Sequence, residues 1–268
     1  MKSGTVAKNS ALAVITGGSS GIGLEFARQL AGRGYALMLV SNQAEQLVDA
    51  ENELKALHPG VEIYTLCKDL SESGAAESVL AACSEKMSPV EVLINNAGIF
   101  TFKPMTDLAQ RHLDLYFDLH MRAVTELSLA FARYMQQRGK GYILNMSSMS
   151  CWMPMPGIGM YAATKSYIRV MSRSLYLEMK EPGVHVMVAC PGGIATDLFG
   201  LPRNLQKLGV RVGALATPRS FVRGALKRLF RKKKQYVNGL INRVAIVAVA
   251  LLPTRMRLIV KHKMLDKK

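Results

Sequence analysis

Apolar residues fall along this chain in two alternating rhythms. A short unbroken run, Leu12–Thr16, is followed by a stretch in which Leu24, Ala27, Leu30 and Ala31 recur at three- and four-residue spacing. Unbroken runs of this length suit buried strands, and the wider spacing suits helices that pack one face. Read this way, strands are expected at Leu12–Thr16, Ala36–Val40, Val61–Cys67, Val92–Asn95, Tyr142–Met146 and Val184–Cys190. Helices are expected at Gln43–Leu57, Glu72–Met87, Asp107–Gln137 and Ile158–Lys180, with Gly32 or Gly34 ending the first helix and His58-Pro59-Gly60 closing the second. Strict alternation of this kind predicts an α/β fold, a doubly wound parallel sheet flanked by helices, with ligand-contacting residues just beyond the carboxyl ends of the strands.

Candidate chemistry sits at those strand ends. Gly17, Gly18, Ser19, Ser20, Gly21, Ile22 and Gly23 join the first strand to the first helix. Glycines there permit a tight turn and close backbone approach, and the helix N-terminus offers amide donors to a phosphate. The spacing is GxxxGxG rather than GxGxxG, and many αβ loops need glycine for the turn alone. Further along, Tyr161 and Lys165 lie four residues apart, on one face of a helix, and Ser148 lies thirteen residues before the tyrosine. A neighbouring ammonium is expected to lower the phenol's pKa toward a working pH, while a serine hydroxyl holds a carbonyl oxygen. Without a cofactor site upstream, the pair reads equally well as a helix surface contact.

Four elements in order carry a family resemblance: Thr16-Gly17-x-x-x-Gly21-Ile22-Gly23, Asn95-Asn96-Ala97-Gly98, Ser148 with Tyr161-x-x-x-Lys165, and Pro191-Gly192 with Thr196. The chain resembles the short-chain dehydrogenase/reductase family over roughly residues 11–200. The resemblance implies a Rossmann-type sheet and hydride transfer between a nicotinamide cofactor and a carbonyl carbon. It assigns Tyr161 as acid/base, Lys165 as pKa modulator and ribose holder, and Ser148 as carbonyl anchor. It also implies cofactor contacts from Gly17, Ser19, Ser20, Gly21, Ile22, Gly23, Asn96, Ala97, Gly98, Tyr161, Lys165, Pro191, Gly192, Ile194 and Thr196. Asp69 and Leu70 match an adenine-contacting position, although Asp69 also reads as a helix N-cap.

Two departures from the family pattern stand out. The second strand ends Ser41-Asn42, where a carboxylate would mark NAD and a basic residue NADP. Without the carboxylate nothing repels a 2′-phosphate, so NADP(H) is favoured and NAD(H) is the alternative. His120 takes the place of an asparagine that, in many members, positions a water in a proton relay. Either it is a polar wall, or its imidazole takes over the relay with a pH dependence near neutrality. Met146, Met149, Trp152, Met153, Met155 and Met160 surround the serine and tyrosine in sequence; they read either as core packing or as an adaptable pocket for an apolar substrate.

Charge alters the picture only near the end of the chain. Of the 268 residues, 1–200 carry 17 Lys/Arg against 18 Asp/Glu, whereas 201–268 carry 18 against one, Asp266. Residues 1–216 are expected to form the catalytic domain, with a substrate lid at 193–216 that mixes Leu198, Phe199, Leu201, Leu205 and Leu208 with Arg203, Lys207 and Arg211. Residues 217–268 read as a basic, partly amphipathic helical extension, packed on the domain or projecting from it. The nine-residue apolar run Val244–Leu252 is too short for a confident membrane span. The last segment places Met256, Ile259, Val260 and Met264 among cations, which suits peripheral contact with anionic lipid; a partner protein or a homo-oligomer contact is the competing explanation. Few aromatics and no recognisable motif argue against nucleic acid.

Cys67, Cys83, Cys151 and Cys190 have no metal-ligand spacing, so no metal site is expected and reduced thiols in a cytoplasmic protein are the default. Lys2 and Lys8 before an apolar run superficially resemble a signal peptide, but that run leads into the glycine turn. Taken together, these features predict reduction of a hydrophobic ketone of 3-oxoacyl, sphingoid or steroid type; a nucleotide-sensing scaffold that lost catalysis is the alternative.

Overall fold

The computed structural model describes residues 10–196, 198, 200 and 202–265, without the side chains of Val260 and Met264. Phe199 and Leu201 of the expected lid, the Val260 and Met264 side chains, and Lys2, Lys8 and Asp266 thus lie outside the described residues. Seven parallel strands form one sheet in the order β3-β2-β1-β4-β5-β6-β7. They are β1 (Leu12–Thr16), β2 (Ala36–Ser41), β3 (Ile63–Cys67), β4 (Val90–Asn95), β5 (Gly141–Met146), β6 (Val184–Ala189) and β7 (Gln235–Tyr236). The strand order reverses between β1 and β4, the switch point at which such sheets bind ligands.

Successive side chains of a strand point to opposite faces, and both faces here are covered. Ala13 and Ile15 of β1 share a core with α1 (Gly21–Ala31), α2 (Ala44–Leu57) and α8 (Pro218–Phe230). Leu12 and Val14 face α3 (Ala75–Ser84), α5 (Ala123–Gln136) and α6 (Gly159–Glu178). Each fully buried Leu or Phe contributes about 1.5–3 kcal/mol, so uninterrupted apolar strands are what this two-sided burial demands.

The sequence of residues 217–265 divides in two. Thr217 caps α8 by accepting a hydrogen bond from the Ser220 amide, Pro218 supplies the first turn, and Phe221, Val222, Ala225, Leu226 and Leu229 are buried in the core. After α8 the chain adds β7 to the edge of β6, in the register Val188 to Gln235 and Ala189 to Tyr236. Beyond it lie α9 (Leu240–Ala250) and α10 (Thr254–Met264), on the outside.

Three expectations change in detail. β7 was not foreseen. The third helix starts at Ala75, after Gly74 in the left-handed region, rather than at Glu72. The long helix expected over Asp107–Gln137 is a 3-10 turn at Met105–Asp107, then α4 (Gln110–Leu115), a π-helical segment Tyr116–Arg122, and α5. The π segment fits an extra residue into the helix and turns both Tyr116 and His120 inward.

Candidate active site

A cleft of about 380 Å³ opens at the carboxyl ends of the strands, lined by Gly17, Ser20, Gly21, Ile22, Asn96–Ile99, Met146–Ser148, Tyr161, Lys165, Pro191, Gly192, Ile194, Thr196 and Leu198. A second cavity of about 230 Å³ shares Gly17, Ala97, Gly98 and Ile99 with it and continues past Ser41, Asn42, Lys68, Asp69 and Leu70. The two form one elongated trough across the switch point.

The glycine turn is shaped by exclusion. A Cβ on Gly23 would stand 1.9 Å from the Gly17 carbonyl oxygen, and one on Gly17 would stand 3.0 Å from Asn96 Nδ2. Gly17 and Gly21 also adopt φ of +61° and +53°, where side chains are strained. Ser20 precedes α1 without making a side-chain cap, so no side chain covers the amides of the first turn. A bare turn that ends in a helix N-terminus fits a diphosphate. Not every expected contact faces the trough. Gly23 serves the packing of the turn, and Ser19 Oγ lies 3.0 Å from Ser41 Oγ, bracing the turn against β2.

Asn96 takes a bracing role as well as lining the cleft. Its Nδ2 donates to the carbonyls of Thr16 and Gly17, and its amide donates to Thr16 Oγ1, so the Asn95–Gly98 loop is tied to the end of β1. Asp69 accepts from the amide and hydroxyl of Ser71, which hold its carboxyl below the usual carboxylate range. It therefore caps a turn, while α3 begins six residues later. Gly192 donates its amide to Asn238 Oδ1, and Asn242 packs where a Gly192 side chain would stand. Those two asparagines follow β7 and were not anticipated.

At the floor, three side chains meet. Ser148 Oγ accepts from the Ser150 amide, which turns its hydroxyl toward the Tyr161 phenol. Ser147 is committed elsewhere, donating to the Lys165 carbonyl at 2.7 Å, which separates it from Ser148 in role. Lys165 Nζ donates to the Met146 carbonyl at 3.1 Å and lies 5.6 Å from the centre of the Tyr161 ring. Phe100 packs edge-on against the same ring at 5.1 Å.

Burial dominates the electrostatics here, against the expectation of a lowered tyrosine. Desolvation pushes the Tyr161 phenol up to about 12, although the Ser148 hydrogen bond pulls the other way. It also pushes the Lys165 ammonium down to about 8. The phenol of the protein by itself is therefore protonated at neutral pH and holds its proton more tightly than a free tyrosine does.

His120 stands behind this floor, fully buried, and outside the cleft lining. Its Nε2 accepts from the Ile99 amide at 2.9 Å, and its Nδ1 lies 3.0 Å from Thr164 Oγ1. Burial and the nearby Lys165 charge hold its pKa well below 6.5. Both nitrogens are occupied and burial favours the neutral ring, an arrangement that suits the polar-wall reading of His120. Of the residues that read either as core packing or as pocket wall, Met146 lines the cleft, whereas Met149, Trp152, Met153, Met155 and Met160 do not, and Trp152 carries the Arg169 guanidinium 4.5 Å from its ring centre. Lys68 in the second cavity went unremarked in the sequence. Among the described residues no group of His, Cys, Asp and Glu is arranged to hold a metal.

A proton-bearing phenol beside a serine, at the switch point of a sheet with a phosphate-shaped turn, is the site of a nucleotide-dependent oxidoreductase of alcohol and ketone groups. The model of the short chain dehydrogenase family matches residues 11–206, and the chain belongs to that family. Gluconate 5-dehydrogenase of Gluconobacter oxydans is 32% identical over 190 residues, covering 71% of this chain and 73% of that protein. A very-long-chain 3-oxoacyl-CoA reductase of Anas platyrhynchos is 30% identical, over 81% of this chain and 68% of its own length. Among solved structures, a short-chain dehydrogenase from Sphingobium yanoikuyae in complex with NADPH superposes with a TM-score of 0.78 at 27% identity, over 93% of this chain and 95% of that one.

Proposed function

We propose that this chain is an NADPH-dependent reductase of an apolar ketone, of the long-chain 3-oxoacyl, sphingoid or steroid kind. The observation that carries the reading is the meeting of Ser148, Tyr161 and Lys165 at the floor of a cleft walled by Ile22, Ile99, Met146, Ile194 and Leu198. A bound nicotinamide would supply the hydride. The chain's own part is to hold the carbonyl oxygen with the Ser148 hydroxyl, to pass it the Tyr161 proton as negative charge develops, and to stabilise that charge with the Lys165 ammonium.

Several features support NADPH. No carboxylate stands at the end of β2, and Ser41 and Asn42 line the second cavity together with Lys68, whose amide is bound to the Ser41 carbonyl. The Lys68 ammonium is available to a 2′-phosphate once it leaves Glu72, its exposed partner on the surface. The solved relative from Sphingobium yanoikuyae also carries NADPH. Gly17, Gly21 and the first turn of α1 would hold the diphosphate, and Lys165 the nicotinamide ribose.

A 3-oxoacyl thioester suits the lid best. Next to the cleft, and sharing Gly21 and Thr196 with it, a groove is lined by Ala195, Arg203, Gln206, Lys207, Val210, Thr217 and Pro218. Arg203 and Lys207 there can meet an anionic head while the acyl chain lies along the apolar wall. The 3-oxoacyl-CoA reductase relative points the same way. Following NADPH oxidation against long-chain 3-oxoacyl thioesters, steroid ketones and polyol-derived ketoses tests the reading. Turnover of the apolar substrates is expected, with Tyr161→Phe about 10³-fold slower and cofactor affinity kept. Cofactor binding without turnover of any of these ketones would overturn it.

A further inference from the structure

α9 is apolar on two faces, and the fold uses one. Asn242, Ala245, Ile246 and Val249 turn toward the body, with Ile246 packed against the cluster of Val124, Cys151, Ile168 and Val188. Leu240, Ile241, Val244, Val247 and Leu251 repeat at helical spacing on the other side and are 58% to 76% exposed. A helix needs a single stripe to pack on its domain; a second stripe of this size marks a contact surface.

α10 extends that surface. The Arg257 guanidinium donates to the Val249 and Ala250 carbonyls at the end of α9, which fixes the two helices as a hairpin. Met256, Leu258 and Ile259 of α10 are exposed beside Arg255, Lys261 and Lys263. Among the described residues there is no carboxylate after residue 200, and no lysine or arginine of that stretch has an ion-pair partner. One end of the hairpin reaches the cleft, and the other packs on the segment around Gly157. Asn242 packs on Gly192 of the cleft, and Leu265 packs at Gly157 next to Phe102, two residues from the Phe100 that touches Tyr161.

From this placement we propose that the α9–α10 hairpin docks the enzyme on an anionic lipid surface, with the outer stripe of α9 in the acyl boundary and the flanking cations against the headgroups. Charge selects this partner: a segment whose described charged residues are all Lys and Arg repels a second copy of itself, whereas a phosphate-rich interface suits both its cations and its apolar stripe. No helix among the described residues is long and apolar enough to cross a membrane, so the contact is peripheral. The docked orientation holds the Gly192 side of the cleft close to the lipid, giving an apolar ketone a short path into it. That last consequence rests on the reductase reading; the docking itself does not.

The test is flotation of the full chain with phosphatidylcholine vesicles, with and without phosphatidylserine, while NADPH oxidation with a water-soluble ketone is followed in parallel. Binding to the anionic vesicles is expected, weakened by salt. Val244→Ser with Val247→Ser should lower partitioning about tenfold or more. Lys261→Gln and Lys263→Gln should lower it about fivefold each. Both sets of side chains are exposed, so folding and the soluble-ketone rate should stay unchanged. Failure of the intact chain to float with anionic vesicles would overturn the proposal, as would flotation indifferent to the α9 substitutions. A lipid-free dimer that the α9 substitutions dissociate, with no vesicle binding, would assign the face to a second copy instead. An inactive chain that still floats would count against the reductase reading alone.

Discussion

His120 Nε2 accepts a hydrogen bond from the Ile99 amide at 2.9 Å, which ties the helix behind the active site to the loop after β4. That bond fixes the tautomer. With Nε2 accepting, Nδ1 carries the proton and donates to Thr164 Oγ1, and the Thr164 hydroxyl in turn donates to the Tyr161 carbonyl. The imidazole is thus a staple between the loop after β4, at Ile99, and the helix that carries Tyr161. Tyr116, one turn earlier in the same π-helical segment, does similar work by accepting from the Thr101 amide.

A staple and a relay make different predictions for His120. Its pKa is held well below 6.5, so the unfolded chain takes up a proton that the folded chain refuses. Stability is therefore expected to fall as pH drops below 6.5, with His185, also pushed down by burial, adding to the slope. His120→Leu should cost about 1–3 kcal/mol by stranding the Ile99 amide, while the Thr164 hydroxyl keeps its bond to the Tyr161 carbonyl, and should lower turnover with it. His120→Asn should flatten the stability slope and leave the pH–rate profile below pH 7 unchanged in shape. Denaturant melts at several pH values, paired with rate profiles, decide it: a rate limb near neutrality that vanishes in His120→Asn assigns the relay to His120.

Lys165 gives a trade between stability and chemistry. Burial lowers its pKa to about 8 from 10.5, so at neutral pH the fold carries a charged group that it would rather hold neutral. The unfolded chain binds the extra proton between those two values, so this group's penalty is relieved as pH rises through about 8 toward 10.5. Lys165→Met keeps the volume and removes the charge, at the cost of the hydrogen bond to the Met146 carbonyl. A gain of about 1–2 kcal/mol at pH 7 is expected, shrinking above pH 8, together with near-complete loss of turnover. A Lys165→Met variant less stable than the parent at pH 7 would show that the ammonium is a structural asset.

How far the sequence revealed the site depended on whether each feature is local. The glycine turn, Ser148, Tyr161 and Lys165 each owe their position to one strand end or one helix, so local spacing picks them out, while their roles come only from the resemblance of the four motifs together. β7 has two residues and exists because Val188 and Ala189 leave an edge to pair with, so no periodic pattern announces it. The π segment keeps the apolar rhythm of an ordinary helix while shifting which side chains point inward, and the bonds of His120 follow from that shift. The methionines cluster in sequence, yet of that cluster Met146 alone lines the cleft, because the chain passes from a short 3-10 turn at Met149–Trp152 into a separate helix at Gly159. The raised Tyr161 pKa was missed for a related reason: a four-residue spacing shows the cation but not the depth of burial that outweighs it.

In sequence, cofactor preference is legible at the end of β2, whereas Lys68 follows β3. A strand pair places two ends side by side, and the Lys68 amide donates to the Ser41 carbonyl at 2.9 Å, which brings a cation from β3 to the wall that Ser41 and Asn42 share. A hydrogen bond between charged groups is worth about 1.5–3 kcal/mol, or roughly 10- to 100-fold in affinity. Lys68→Gln is expected to raise the KM for NADPH by about that factor and leave the KM for NADH nearly unchanged. Lys68→Glu should go further, since it sets like charge against the 2′-phosphate, and should reverse the preference toward NADH. The side chain is about a quarter exposed and its bond to Glu72 is a surface pair, so neither change should lower thermal stability by more than about 0.5–1 kcal/mol. Steady-state rates with both cofactors, alongside thermal melts, check this. Equal KM shifts for NADPH and NADH would mean that Lys68 shapes the adenosine end of the trough without reading the phosphate.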